Sequence, residues 1–179
     1  MNSSKSKIQN KVVAKLVKVY VAWLEEQPSL GFGRAYQLGI DKTKHLVYAS
    51  KDIANLCLRL KDYEQHKEFE WSGLFLSGLI NKCKDEEFFL MTEHLDKQIS
   101  LIGYENTKKI VVQGNTQDHT GGSMSGGSIT VKGNAGQYTG SFMNGGVIKV
   151  TGTIQQISKH VFGGKIYEKD KLVRGKKDG

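Results

Sequence analysis

The chain has 179 residues, 38% of them hydrophobic, and a formal net charge of +8 at pH 7. That length allows one domain or two small ones, and no run of 18 apolar residues is present to cross a membrane. Cys57 and Cys83 are isolated thiols with no C-x-x-C pair, so zinc and thioredoxin-type sites lack support and reduced cysteines in a cytoplasmic protein are expected. Nor does the N-terminus carry the uninterrupted apolar core of a secretion signal. The charge is uneven: net +5 over residues 1–50, −3 over 51–100, +2 over 101–150 and +4 over 151–179.

Residues 1–5 are polar and are expected to be disordered. From 7 to 26 the pattern is helical, with Ile8, Val12, Leu16, Val19 and Trp23 on one face and Val13, Val17, Tyr20 and Leu24 widening it. So apolar a helix favours burial in its own domain; a partner-binding helix and a basic membrane-surface helix are the alternatives. Pro28 ends it, and Gly31 to Gly33 make a loop. Residues 35–38 and 45–48 read as short strands or turns of a hairpin joined by the polar 41–44 link. Ser50 caps a second helix over 51–66, and Ser72 a third over 73–84. Gly73 and Gly78 weaken that third helix intrinsically but permit close packing. After residue 84 the period becomes strand-like. Short apolar runs at 88–92 and 99–103 are expected to form the first, irregular turn of a repeating region.

The repeat is regular from residue 110. Ile110, Val112 and Gly114 recur as Ile129, Val131 and Gly133, then as Ile148, Val150 and Gly152, at a step of 19 residues. Gly121, Met124, Gly126 and Gly127 recur as Gly140, Met143, Gly145 and Gly146. A looser echo, Gly163-Gly164-Lys165-Ile166, comes 18 residues after Gly145. Short-period self-similarity marks a solenoid, and Ile-x-Val-x-Gly is a short alternating strand ended by a turn. Stacked copies place the apolar residues in interior ladders and the methionines at a corner. The glycines are expected at tight corners where positive φ is needed, and Asn115 over Asn134 and Thr120 over Thr139 as polar ladders. No acid comes after the Gly-Gly pairs, which argues against calcium-binding nonapeptides. No Gly-Lys-Ser/Thr comes after a glycine run, which argues against a phosphate loop.

The segment from Gly121 to Gly140, Gly-x-x-Met-x-Gly-Gly-x-Ile-x-Val-x-Gly-Asn-Ala-Gly-x-x-x-Gly, resembles the GXGXG β-helix family. That family includes the C-terminal domain of the glutamate synthase large subunit and the β-helical subunit of formylmethanofuran dehydrogenases. The resemblance covers residues 101–167 and implies a packing and assembly element with no catalytic residue of its own. Thr153-Ile154-Gln155-Gln156 departs from the pattern, so the solenoid is expected to end there.

The fold expected is α+β. A helical region over 1–84 caps a short single-stranded right-handed β-helix over 85–170, regular at 109–152, and a basic tail at 171–179 is expected as a solvated, mobile segment, with binding of an anionic partner as the alternative. The helices cover the N-terminal end, while residues 157–167, with Val161-Phe162 as a plug, and the charged tail close the other. The five histidines show no metal-ligand spacing, and Asp118-His119 and Glu93-His94 are adjacent pairs whose members point apart in a strand. Catalytic, cofactor and metal residues are therefore not expected. The function expected is a non-catalytic assembly scaffold with a protein partner or a second copy bound. The family resemblance implies one form of it, the β-helical component of a larger redox complex of the formylmethanofuran dehydrogenase kind. The alternative is a basic nucleic-acid- or ribonucleoprotein-associated protein. Candidate partner contacts are Lys132 and Lys149 on the sheet and Lys171, Arg174, Lys176 and Lys177 in the tail.

Overall fold

The structure, a computed structural model, describes residues 2–27 and 30–175. Among them, four helices precede six strands that form a single sheet in chain order. The fold is α+β with a C-terminal β-solenoid.

Helix α1 (Asn2–Glu26) begins five residues ahead of the expected boundary, so residues 2–5 are helical rather than disordered. Pro28, expected to end this helix, lies outside the described residues. Leu16, Tyr20, Trp23 and Leu24 are buried in the helical region's own core, as a core helix requires. The expected hairpin at 35–48 is instead helix α2 (Phe32–Thr43). Ala35, Tyr36, Gly39, Ile40 and Thr43 are buried at helical spacing. That periodicity outweighs the glycines that suggested a loop. Gly39 lies against Phe75 and Trp23, where a Cβ would sit 3.2 Å from the Phe75 ring, so glycine lets the helices approach closely. Trp23 Nε1 also donates to Ala35 O at 2.8 Å, tying α2 to α1.

Helix α3 (Ser50–Arg59) is shorter than expected and passes into a 3₁₀ turn, Leu60–Tyr63. Ser50 is not its cap. Ala49 occupies that position, and its N–H is accepted by Asp52 Oδ2 at 3.0 Å, while Ser50 N–H goes to Asp85 Oδ2 at 2.7 Å. Helix α4 (Ser72–Lys82) likewise starts at Ser72 rather than being capped by it. The buried Ser72 hydroxyl donates to Phe69 O at 2.5 Å and meets Tyr20 Oη at 2.6 Å.

The solenoid strands are β1 (Glu87–Met91), β2 (Lys109–Gln113), β3 (Ser128–Lys132), β4 (Val147–Val150) and β5 (Lys165–Glu168), all parallel. Their register stacks Phe88, Ile110, Ile129, Ile148 and Ile166 in one ladder and Leu90, Val112, Val131 and Val150 in the next. Every one of these is buried, as are Met124 and Met143. The alternation follows from the two-residue period of a strand. The coil does not end at residue 152. The Gly163-Gly164 echo leads into β5 as one more parallel rung, and Ala135–Ile154 and Thr139–Ile157 bridge the intervening turn. Residues 99–103 are turn rather than strand, with Leu101 at φ 65°.

Helices cover the N-terminal end, with Cys57 Sγ of α3 donating to Met91 O at 3.2 Å. Burial pushes the Cys57 thiol up to about 12. The Ser77 hydroxyl of α4 accepts Gly103 N at 2.8 Å and lies 3.0 Å from Leu101 O. At the other end, Lys171–Arg174 are not a free tail but strand β6, antiparallel to β5. Lys169 and Asp170 both take left-handed φ, 48° and 63°, which is the two-residue turn that matches strand twist. Phe162 is 67% exposed, so it is no plug; Val161 alone packs against the core.

Glu64 holds the first solenoid turn to the helices. Its buried carboxylate accepts Asp96 N at 2.6 Å and Lys97 N at 3.1 Å, and meets Lys61 Nζ at 3.1 Å. Burial raises its pKa, but the bonds from Lys97, Lys61 and Asp96 outweigh that and hold it below the ordinary glutamate value. A depressed folded-state pKa stabilises the fold above the unfolded value, about 4.3, and that contribution is lost as pH falls through the folded value. Glu64→Gln is therefore expected to lower unfolding free energy by about 1–3 kcal/mol at neutral pH. In urea titrations, the gap from wild type should close below about pH 4. A gap that persists unchanged into acid would show that charge is not the reason for this residue.

Candidate docking face

One corner of the solenoid repeats an unusual backbone. Leu101, Gly103 and Glu105 take φ of 65°, 75° and 53°; one rung on, His119, Gly121 and Ser123 take 58°, 70° and 53°; on the next, Tyr138, Gly140 and Phe142 take 56°, 73° and 57°. The middle position needs glycine for space as well as conformation. A Cβ there would run into the Cδ1 of Ile129, Ile148 and Ile166 respectively, the interior ladder. The flanking positions carry side chains despite a cost of about 1–2 kcal/mol for left-handed φ. At Leu101 burial offsets that cost, since the residue is 1% exposed. At Tyr138 and Phe142 it is offset far less, because they are 44% and 54% exposed. Glycine or asparagine would suit the backbone better. An outlier of this kind supports a functional hypothesis.

These rings belong to a larger surface. Tyr138 stacks on His119 (centroids 5.0 Å apart, planes 18°), which meets Phe32 of α2 edge-on at 5.2 Å; Phe32 meets Trp71 at 4.9 Å. Phe142 stacks on His160 at 5.6 Å with planes within 5°, and lies 6.3 Å from Phe162. Two ring groups thus flank Gly140, one reaching the helical region through Phe32 and the other reaching Phe162 ahead of β5. Aromatic and imidazole rings of this kind concentrate energy in protein interfaces, being large in area and low in conformational entropy.

Two arrangements could be read as catalytic. His119 Nδ1 lies 3.0 Å from Ser141 Oγ. Burial lowers the His119 pKa against the opposing pull of Asp118 and Glu70, which favours the neutral imidazole. The third member of a triad is missing from this pair: Asp118 Oδ1 accepts Gln137 N at 2.8 Å, and among the described residues no carboxylate lies within hydrogen-bond reach of the imidazole. Ser141 is itself 5% exposed. The second is a polar cleft of about 460 Å³ between helices and solenoid, with His66, Glu70 and Asp96 in its lining. Each is committed elsewhere: His66 Nδ1 accepts Glu68 N, Glu70 accepts the Ser100 hydroxyl, and Asp96 pairs with Lys61. Among the described residues no group of three His, Cys, Asp or Glu is placed to hold a metal ion.

The repeat residues named from sequence build the solenoid, but not for one shared reason. Gly114, Gly121, Gly127, Gly140 and Gly146 have positive φ, whereas Gly126, Gly133, Gly145 and Gly152 do not. Gly133 is glycine because a Cβ would sit 2.5 Å from Gly114 O of the rung below, and Gly152 because one would sit 2.6 Å from Gly133 O. The asparagine ladder forms as expected: Asn115 Oδ1 accepts Asn134 N, and Asn134 Oδ1 accepts Thr153 N, both at 2.8 Å. Thr120 and Thr139, expected as a ladder, do not bond to each other. Thr120 Oγ1 reaches Thr116, and Thr139 Oγ1 reaches Gly136 O.

Among the described residues, the lysines and arginine proposed as partner contacts do not form one patch. Lys132 and Lys149 share the outward face of the sheet, the latter with Nζ 5.7 Å from the Tyr167 ring centroid. Lys171 pairs in register with Glu168, on the side opposite Tyr167 and Leu172. Arg174 Nη2 donates to Val161 O at 3.3 Å, beside the aromatic face. Lys176 and Lys177 lie outside the described residues. The aromatic face is absent from the candidates drawn from sequence. Its signal there is the pair of aromatics flanking Gly140 where the previous rung has His119 and Ser123.

No helix among the described residues is long and apolar enough to cross a membrane. No protein-family model, curated protein or solved structure matches the chain.

Proposed function

We propose that the protein is a non-catalytic assembly scaffold that docks a folded protein partner on the aromatic corner of its solenoid. The observation that carries this is the placement of Tyr138 and Phe142 in left-handed backbone with about half of each ring in solvent. The fold gains little from rings at those positions, and a partner that buries them gains much. The β-helical component of a larger redox complex is one form of this role. It rests on the resemblance of the repeat to the GXGXG family. A cytoplasmic setting is consistent with two buried free thiols, Cys57 and Cys83.

The test is affinity capture from the source cells with the wild-type chain and with Tyr138→Gly/Phe142→Gly. A partner that survives a salt wash on wild type and is lost from the double variant supports the proposal. Equal capture by both chains overturns it. A second reading, contact with nucleic acid, is favoured by Lys132 and Lys149, which have no carboxylate partner among the described residues on the outward sheet face. It predicts bound material that falls off steeply with salt and is released by nuclease.

A further inference from the structure

A cleft of about 520 Å³ opens in the helical region, between the C-terminal half of α2, the 44–48 segment and the end of α4. Its size falls in the range of small-molecule sites, about 300–1,000 Å³. The lining is divided by chemistry. Ile40, Leu46, Val47 and Tyr48 form an apolar floor and lip, with Val47 91% exposed. Lys44, Lys82 and Lys84 stand at the rim. Among the described residues none of the three has a carboxylate within 4.0 Å, in contrast to Lys42, Lys61, Lys108 and Lys109 elsewhere in the chain. The acid in the cleft lining, Asp41, accepts from Gln37 Nε2 at 3.2 Å.

The charge balance decides the ligand's sign. Three ammonium groups face one carboxylate and the C-terminal carbonyls of α2 and α4, each worth roughly half a negative charge. About one positive charge is left over, beside Val47, which stands almost wholly in solvent, while Ile40 is buried and Leu46 and Tyr48 are half-buried. Tyr48 adds no donor to the cleft, because its hydroxyl already donates to Leu79 O at 3.3 Å.

We propose that this cleft binds a small anionic amphiphile. A single carboxylate or phosphate head sits among Lys44, Lys82 and Lys84, and its apolar body lies over Ile40, Leu46 and Val47. This site is separate from the aromatic corner, and neither proposal depends on the other.

The experiment is an amide NMR titration of the full chain with decanoate below its micellar concentration. Butyrate tests the head alone and decyltrimethylammonium the tail with opposite charge. Saturable shifts confined to residues 40–48 and 82–84 are expected with decanoate, at least tenfold weaker binding with butyrate, and none of that pattern with the ammonium. Lys82→Glu/Lys84→Glu is expected to weaken decanoate at least tenfold. Val47→Glu should do the same, and at so exposed a position it leaves the fold intact. Equal response to both head charges, shifts centred elsewhere, an absence of saturable shifts, or indifference to both variants would each overturn the proposal. So would an acidic peptide that saturates the same amides while decanoate does not.

Discussion

Ile129→Asp is expected to cost at least about 4 kcal/mol, enough to unfold much of the population of a domain whose whole stability is about 5–15 kcal/mol. Ile129 is fully buried in the ladder between Ile110 and Ile148, with no polar group in that row to receive a carboxylate. An isolated buried charge has no compensation there. The adjacent residue supplies the control. Thr130 faces outward and pairs in register with Lys149, so Thr130→Asp is expected to change stability by no more than about 0.5 kcal/mol. Urea unfolding of the two variants measures both. Equal losses would mean that the inward and outward rows are wrongly assigned.

The second large effect separates two neighbouring glycines. Gly127 has φ +61°, and a Cβ there would collide with the Lys108 carbonyl oxygen. Gly127→Ala is expected to cost about 2–4 kcal/mol, from left-handed strain plus the displacement of the rung below. Gly126 lies beside it with nothing nearer to a Cβ than Thr107 Cα at 4.0 Å and with no positive φ. Gly126→Ala should be neutral, or slightly stabilising through a less flexible unfolded chain. Thermal unfolding of the pair checks this, and a large loss at Gly126 with little at Gly127 would contradict the corner geometry.

That contrast shows where the sequence is informative. The 19-residue step and the period of two at Ile129 and Val131 define the interior ladders, because burial in a parallel solenoid is dictated locally and repeated. Gly126 and Gly127 look alike as text, yet one is needed and the other is not. The difference depends on how closely the rung below approaches, which only stacking reveals. Helix α2 was hidden because Gly31 to Gly33 read as a loop and 41–44 as a polar link, while the Phe75 and Trp23 side chains that make Gly39 useful are distant in sequence. Strand β6 was hidden because Lys171 and Arg174 resemble a solvated tail; the Lys169-Asp170 turn folds them back onto β5. The aromatic corner needed both facts at once, left-handed φ and exposure, and neither can be read from Tyr138 or Phe142 alone.

The central claim is that these two rings serve contact with a partner more than they serve the fold. Its most direct measurement is the unfolding free energy of Tyr138→Gly/Phe142→Gly. Relief of left-handed strain, about 1–2 kcal/mol per residue, should largely offset the loss of half-buried ring surface and of stacking on His119 and His160, about 0.5–1.5 kcal/mol per pair. The double variant is therefore expected to stay within about 1 kcal/mol of wild type. A loss beyond about 3 kcal/mol, typical of removing a truly buried aromatic side chain, would contradict the account by making both rings part of the core.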